Sequence, residues 1–92
     1  MNSSSSSDVL KWAHQVFDFL WDNSESTKKE IMQSIDLSEE QFRKARAWLR
    51  GYHRLIVEDW RNTDDDTIVK VYRIGDRRRS KDYWIKKFEE AL

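Results

Sequence analysis

Two capping boxes, eleven residues apart, constrain this chain more than any other feature: Thr27 is followed three residues on by Glu30, and Ser38 by Gln41. In such a box the hydroxyl accepts from the N3 backbone N–H while the N3 side chain accepts from the cap's own N–H. Two of the donors that a helix start leaves unpaired are thereby satisfied together. One helix therefore begins at Thr27 and ends within about two turns, and a second, about four turns long, begins after Ser38. The link Ile35-Asp36-Leu37-Ser38 is too short for the two to lie antiparallel, so they cross at a large angle. Ile31 and Ile35 face inward from the first, Leu37 plugs the turn, and Asp36 is expected to take the left-handed conformation that Asp tolerates.

Elements on either side follow from periodicity. Val9, Ala13, Val16, Phe17 and Leu20 line one face of a helix that Asp8 caps and that fades near Asp22 and Asn23. The helix after Ser38 runs from Glu39 to about His53 with Phe42, Ala45, Leu49 and Tyr52 inside. Beyond it, Leu55, Ile56 and Val57 open one β-run and residues 67–74 form another; the polar turn over residues 62–66 joins them as an antiparallel hairpin. On the second strand Ile68, Tyr72 and Ile74 lie on one side and Val69 and Val71 on the other, with Tyr72 and Ile74 the favoured inward pair. Gly75 and Asp76 end that strand, Ser80 caps a last helix, and Trp84 or Ile85, Phe88 and Leu92 give it an apolar stripe. The serine run over residues 1–7 has nothing to bury and reads as a disordered tail.

Chemistry that this chain excludes is equally plain. At 92 residues it has room for one modest core and no deep cleft. It has no Cys, and His14 and His53 lack metal-ligand spacing, so no metal, cofactor or thiol chemistry is expected. No nucleophile–base pair, carboxylate pair or phosphate-cradling glycine loop points to an enzyme. The spaced ligands of a calcium loop are missing around Asp64, Asp65 and Asp66. No membrane-spanning run or secretory signal is present, which implies a cytoplasmic protein.

Lysine and arginine balance aspartate and glutamate at 17 each, but the two signs are segregated. Residues 1–40 carry eight acids and three bases, 41–54 five bases and no acid, 55–76 six acids and three bases, and 77–92 three acids and six bases. Positive charge is thus confined to two segments, as an electrostatic footprint would be.

The order helix, short helix, tight turn, long basic helix, hairpin resembles the winged helix-turn-helix superfamily over residues 8–74. The residues that carry it are Thr27-Lys-Lys-Glu-Ile31, Ile35-Asp-Leu-Ser38, Phe42, Ala45 and Leu49, Leu55-Ile-Val57, and Val71-Tyr-Arg-Ile74. The resemblance implies a mainly α fold with a three-helix core, a two-stranded wing and a C-terminal helix, over residues 8–76 with a basic linker and helix at 77–92. It departs from the family pattern in placing Gly51 four residues before Leu55, and in a wing tip of three aspartates where a phosphate-contacting wing carries Lys or Arg.

That resemblance makes the helix after Ser38 a recognition helix for double-stranded DNA. Arg43, Ala47, Arg50 and Arg54 recur along one outward ridge, with Lys44 beside it and Gln41 near its start. Arg suits the place because its planar fork binds phosphate, or guanine O6 and N7, in bidentate fashion. Ala47 would let the helix approach the groove floor, while Lys28 and Arg61 would take phosphates. A merely solvated face mixes acids with bases, and this one does not. Arg77, Arg78, Arg79 and Lys81 fit phosphate contact and simple solubility equally well.

Five tryptophans exceed what one small core can hold, so Trp84, Ile85, Phe88 and Leu92, alongside Trp12 or Trp21, are expected to form a homodimer seam. A dimer would set two recognition helices about one DNA turn apart. The expected function is that of a small transcriptional or replication regulator. An adaptor that docks on a protein partner is the alternative, favoured by zero net charge, an acidic wing and surplus Trp.

Overall fold

A computed structural model describes residues 6–91. The chain forms four helices and a three-stranded antiparallel sheet, a small mixed α/β arrangement: α1 (Ser6–Asn23), β1 (Ser26–Thr27), α2 (Lys28–Ser34), α3 (Glu39–Gly51), β2 (Ile56–Asn62), β3 (Ile68–Ile74) and α4 (Lys81–Ala91). No helix among the described residues is long and apolar enough to cross a membrane. Most of the tail read over residues 1–7 lies outside them, but Ser6 and Ser7 belong to α1. Asp8 is therefore in the first turn, where a carboxylate favours the helix dipole, and is not the cap.

Both capping boxes form. Thr27 Oγ1 accepts from Glu30 N at 3.1 Å and Glu30 Oε1 from Thr27 N at 2.8 Å; Ser38 Oγ accepts from Gln41 N at 3.1 Å and Gln41 Oε1 from Ser38 N at 2.9 Å. The turn between the helices differs from the expected one. Asp36 is not left-handed, and Leu37 N donates to Ile35 O at 2.9 Å. An i→i+2 bond of this kind closes an inverse γ-turn, whose central φ is negative. Ile35 falls past the end of α2 and is half-buried, leaving Ile31 as the helix's buried anchor.

Three strands are present where two were expected. The edge strand β1 pairs Ser26 with Tyr72 and Thr27 with Val71. Thr27 can both cap and pair because a cap residue is extended, here with φ −78° and ψ 163°. On the other side of β3, β2 pairs in register from Ile56 opposite Ile74 to Asn62 opposite Ile68, giving the order β1-β3-β2. Tyr72 and Ile74 do point into the core, and Val71, on the opposite face, is buried as well.

The core lies between α1, α3, α4 and that inner sheet face. Helix α1 contributes Leu10, Ala13, Val16, Phe17 and Leu20; Val9, expected in this stripe, is only half-buried, its place taken by Leu10. From α3 come Phe42, Ala45 and Leu49. Helix α3 stops at Gly51, and His53 and Arg54 then both adopt left-handed φ, near 55° and 52°. Such residues strain an L-amino-acid backbone, and here they swing the chain so that Leu55 N donates to Leu49 O at 3.0 Å. Gly75 closes the same corner: its N–H donates to Leu55 O at 2.8 Å, and a Cβ there would stand 2.3 Å from Arg54 O.

Helix α4 packs into this core rather than outward. Trp84 and Phe88 are each only 4% exposed, with Phe88 rings 5.3 Å from Phe17, 5.1 Å from His14 and 5.5 Å from Trp48. Ser80 Oγ accepts from Tyr83 N at 3.2 Å as the expected cap. Lys81 meets Asp18 at 3.0 Å, which holds its pKa above the usual lysine value, and Arg77 donates to Leu20 O and Trp21 O at 3.1 Å. The stripe expected to form a seam is therefore turned inward at two of its positions: Trp84 and Phe88 are buried within the chain, Phe88 against Phe17 of α1 and Trp48 of α3 and Trp84 beside His53, while Ile85 is half-buried and Leu92 lies outside the described residues.

Candidate nucleic-acid interface

The outer face of α3 follows from its inner one. Burying Phe42, Ala45 and Leu49 turns Arg43, Ala47 and Arg50 to solvent at helical spacing, and the left-handed turn leaves Arg54 exposed beyond the helix end. Among the described residues Arg43 and Arg54 enter no ion pair. Arg50 does: its Nη1 stands 3.2 Å from Glu58 Oε2 on β2. Lys44 is half-buried and pairs with Glu40 at 3.3 Å, one turn earlier. Gln41, half-buried, has its carbonyl oxygen engaged in the capping box.

Two phosphate candidates stand apart from this ridge. Lys28 Nζ is held by Glu39 Oε2 at 3.0 Å. Arg61 sits at an odd position of β2, on the sheet face opposite to Ile56, Tyr72 and Ile74, where Glu30 at 3.6 Å and Glu25 at 3.9 Å neutralise it. Of the basic tract after the hairpin, Arg77 caps α1, Arg78 pairs with Asp76 at 3.3 Å and Arg79 lies over the Tyr83 ring at 4.6 Å. The Arg78 N–H and side chain also hold the Asp76 carboxyl below the usual carboxylate range.

Several residues that matter were not singled out in the sequence. Arg46 lies between ridge and core, its Nη1 donating to Tyr72 Oη at 3.3 Å while its buried Nε has no partner. Glu58 holds both Arg50 and, at 3.4 Å, Lys70 of β3. Lys70 in turn stands over the Trp60 ring at 5.5 Å. Among the described residues, Trp60 and Ile68, 64% and 61% exposed, are the large apolar side chains that the fold leaves open. Both share the parity of Tyr72 and Ile74, so they extend the core-facing side of the hairpin past the end of the core. The strand register that brings these groups together is what sequence alone did not supply.

Between α3 and β2 lies an open cleft of about 530 Å³, walled by Ala47, Arg50, Gly51, Arg54, Ile56, Val57 and Glu58. The aspartate tip, at the far end of β2 from this cleft, is an ordered turn. Asp66 N donates to Thr63 O at 3.1 Å, Asp66 is left-handed, and the Thr63 hydroxyl hydrogen-bonds the Asp65 carboxylate. That bond, with one from Thr67, lowers the Asp65 pKa. Comparison with known proteins finds no family model, no curated protein and no solved structure that matches the chain.

Proposed function

We propose that this chain is a winged helix-turn-helix domain that binds double-stranded DNA, with α3 lying in the major groove and the β2–β3 hairpin as the wing. One observation carries the reading: the exposed face of α3 and the turn after it present Arg43 and Arg54, free of ion pairs, on either side of Ala47 and Arg50. An α-helix fits the major groove, and guanidinium forks match both phosphate oxygens and guanine edges. The pairs that hold Arg50 and Lys44 do not oppose it strongly. Exposed ion pairs are worth about 0–1 kcal/mol, whereas a bidentate arginine contact to a base discriminates by about 1–3 kcal/mol. Phosphate can therefore displace Glu58 or Glu40. Lys28 and Arg61 are left out of this interface, and the acidic tip keeps the hairpin's end away from the backbone. Such a domain serves as a small regulator of transcription or replication.

The second reading, a protein-binding adaptor, is favoured by exposed Trp60 and Ile68. Mobility-shift titration against random duplex DNA at low salt separates the two. Retarded complexes that dissolve as salt rises support DNA binding. No shift even with protein in large excess over duplex contradicts it.

A further inference from the structure

Among the described residues, strand β2 is the long free edge of the sheet, since β1 borders the other side with two residues only. Its backbone groups point alternately inward and outward. Leu55 O accepts from Gly75 N, and Thr63 N donates to Thr67 O, each at 2.8 Å, so the odd residues bond to β3. Glu58, Trp60 and Asn62 therefore aim their N–H and C=O groups away from it. Of these, the Trp60 N–H is covered by its neighbour's side chain, Asp59 Oδ1 at 2.9 Å. A bare edge of this kind is a template for another strand.

We propose that the occupant is a second copy of this chain, its β2 paired antiparallel about a twofold axis through Trp60. In such a pairing the residue on the axis opposes itself, and like charges directly opposite one another destabilise a sheet. Centres at Glu58, Asp59 or Arg61 each set two like charges together. A centre at Trp60 opposes two indoles instead and puts Asp59 across from Arg61 of the second copy, twice over. Those two fall at non-hydrogen-bonded positions, where facing side chains come closest. Trp60, Glu58 and Asn62 exchange backbone hydrogen bonds with Trp60, Asn62 and Glu58 of the second copy, and Asp59 releases the Trp60 N–H to do so.

The same register carries the second copy's aspartate turn alongside residues 54–56, at the cleft walled by Arg50 and Arg54. Charge complementarity therefore continues past the strands. Because each copy has one long free edge, the twofold closes the assembly at two chains. Arg50 and Arg54 then face either aspartates or DNA, so self-association and DNA binding compete; that last clause alone rests on the DNA reading.

Sedimentation of the full chain from micromolar to millimolar concentration tests the pairing. The wild type is expected to move from one chain mass to two. Asp59→Arg and Arg61→Asp should each weaken association at least about tenfold, and the double exchange should restore it. Trp60→Lys should abolish it. Amide exchange of the wild type supplies a readout free of any folding defect: Glu58, Trp60 and Asn62 should gain protection with concentration. A monomer throughout, a dimer indifferent to Trp60→Lys, or a double exchange no better than either single variant overturns the proposal. Added duplex DNA should return the dimer to monomers; a dimer that binds no DNA leaves the pairing standing and removes the DNA reading.

Discussion

Helix α3 and the β2–β3 hairpin are both rich in charge, yet every base of the hairpin has an acid while α3 and the turn after it leave Arg43 and Arg54 with none. Arg61, Lys70 and Arg73 meet Glu30, Glu58 and Asp59 at 3.6, 3.4 and 3.6 Å. On a helix the available partners sit three or four residues away, and residues 41–54 contain no acid. Glu39, one turn before Arg43, is taken by Lys28. In a hairpin the partners are set by register, so Glu58 reaches Lys70 and Asp59 reaches Arg73 along diagonals across the strands. Among the described residues, the strands of the hairpin thus pair each of their bases, while the exposed face of α3 and the turn after it leave Arg43 and Arg54 open.

Breaking the joint between these two regions should have the largest effect. Gly75→Ala forces a Cβ into Arg54 O, at the corner that links α3 to both strands, and should cost about 1–3 kcal/mol in chemical denaturation. Removing the cap that starts α3 comes next. Ser38→Ala should lose about 1 kcal/mol, with Thr27→Ala a comparable loss at α2, while Ser34→Ala, at the far end of α2, should be near neutral.

A smaller change sharpens the contrast itself. Glu58→Gln releases Arg50 and Lys70 together and moves the hairpin toward the state of α3. Stability should change by about 1 kcal/mol or less, because the partners of Glu58 are open to solvent and screened, and DNA affinity at low salt should rise several-fold. Unchanged affinity would mean that Arg50 plays no part in binding.

The smallest effect concerns the wing tip. With its folded pKa lowered by hydroxyls of Thr63 and Thr67, Asp65 contributes stability that is present above its unfolded pKa and is lost as pH falls through the folded value. Carboxyl titration by NMR should find Asp65 below the usual aspartate value, and Thr63→Ala should remove most of that lowering.

How much of this could be read beforehand depends on the range of the interaction responsible. Capping boxes, the buried stripe of α3, the hairpin and the inward Tyr72 and Ile74 rest on neighbours within a few residues or on strand alternation, and they were legible. Strand β1 was not, because two residues carry no pattern and Thr27 was already accounted for as a cap. Trp84 and Phe88 looked like a seam because an apolar stripe does not say which surface it meets. That Arg61 is paired was not legible, because its acids, Glu25 and Glu30, lie far behind it in sequence. Arg43 and Arg54 stood out correctly as exposed bases, but that Arg50 and Lys44 are partnered required the fold.

The salt dependence of duplex binding, compared between the wild type and Arg43→Ala/Arg54→Ala, tests the role of α3 most directly. Each phosphate contact adds about 0.9 to the slope of log K against log salt. If both arginines reach the backbone, the double variant should lose about two contacts from that slope and bind at least tenfold more weakly at low salt. An identical slope and affinity would contradict the assignment of α3 as the DNA-facing element.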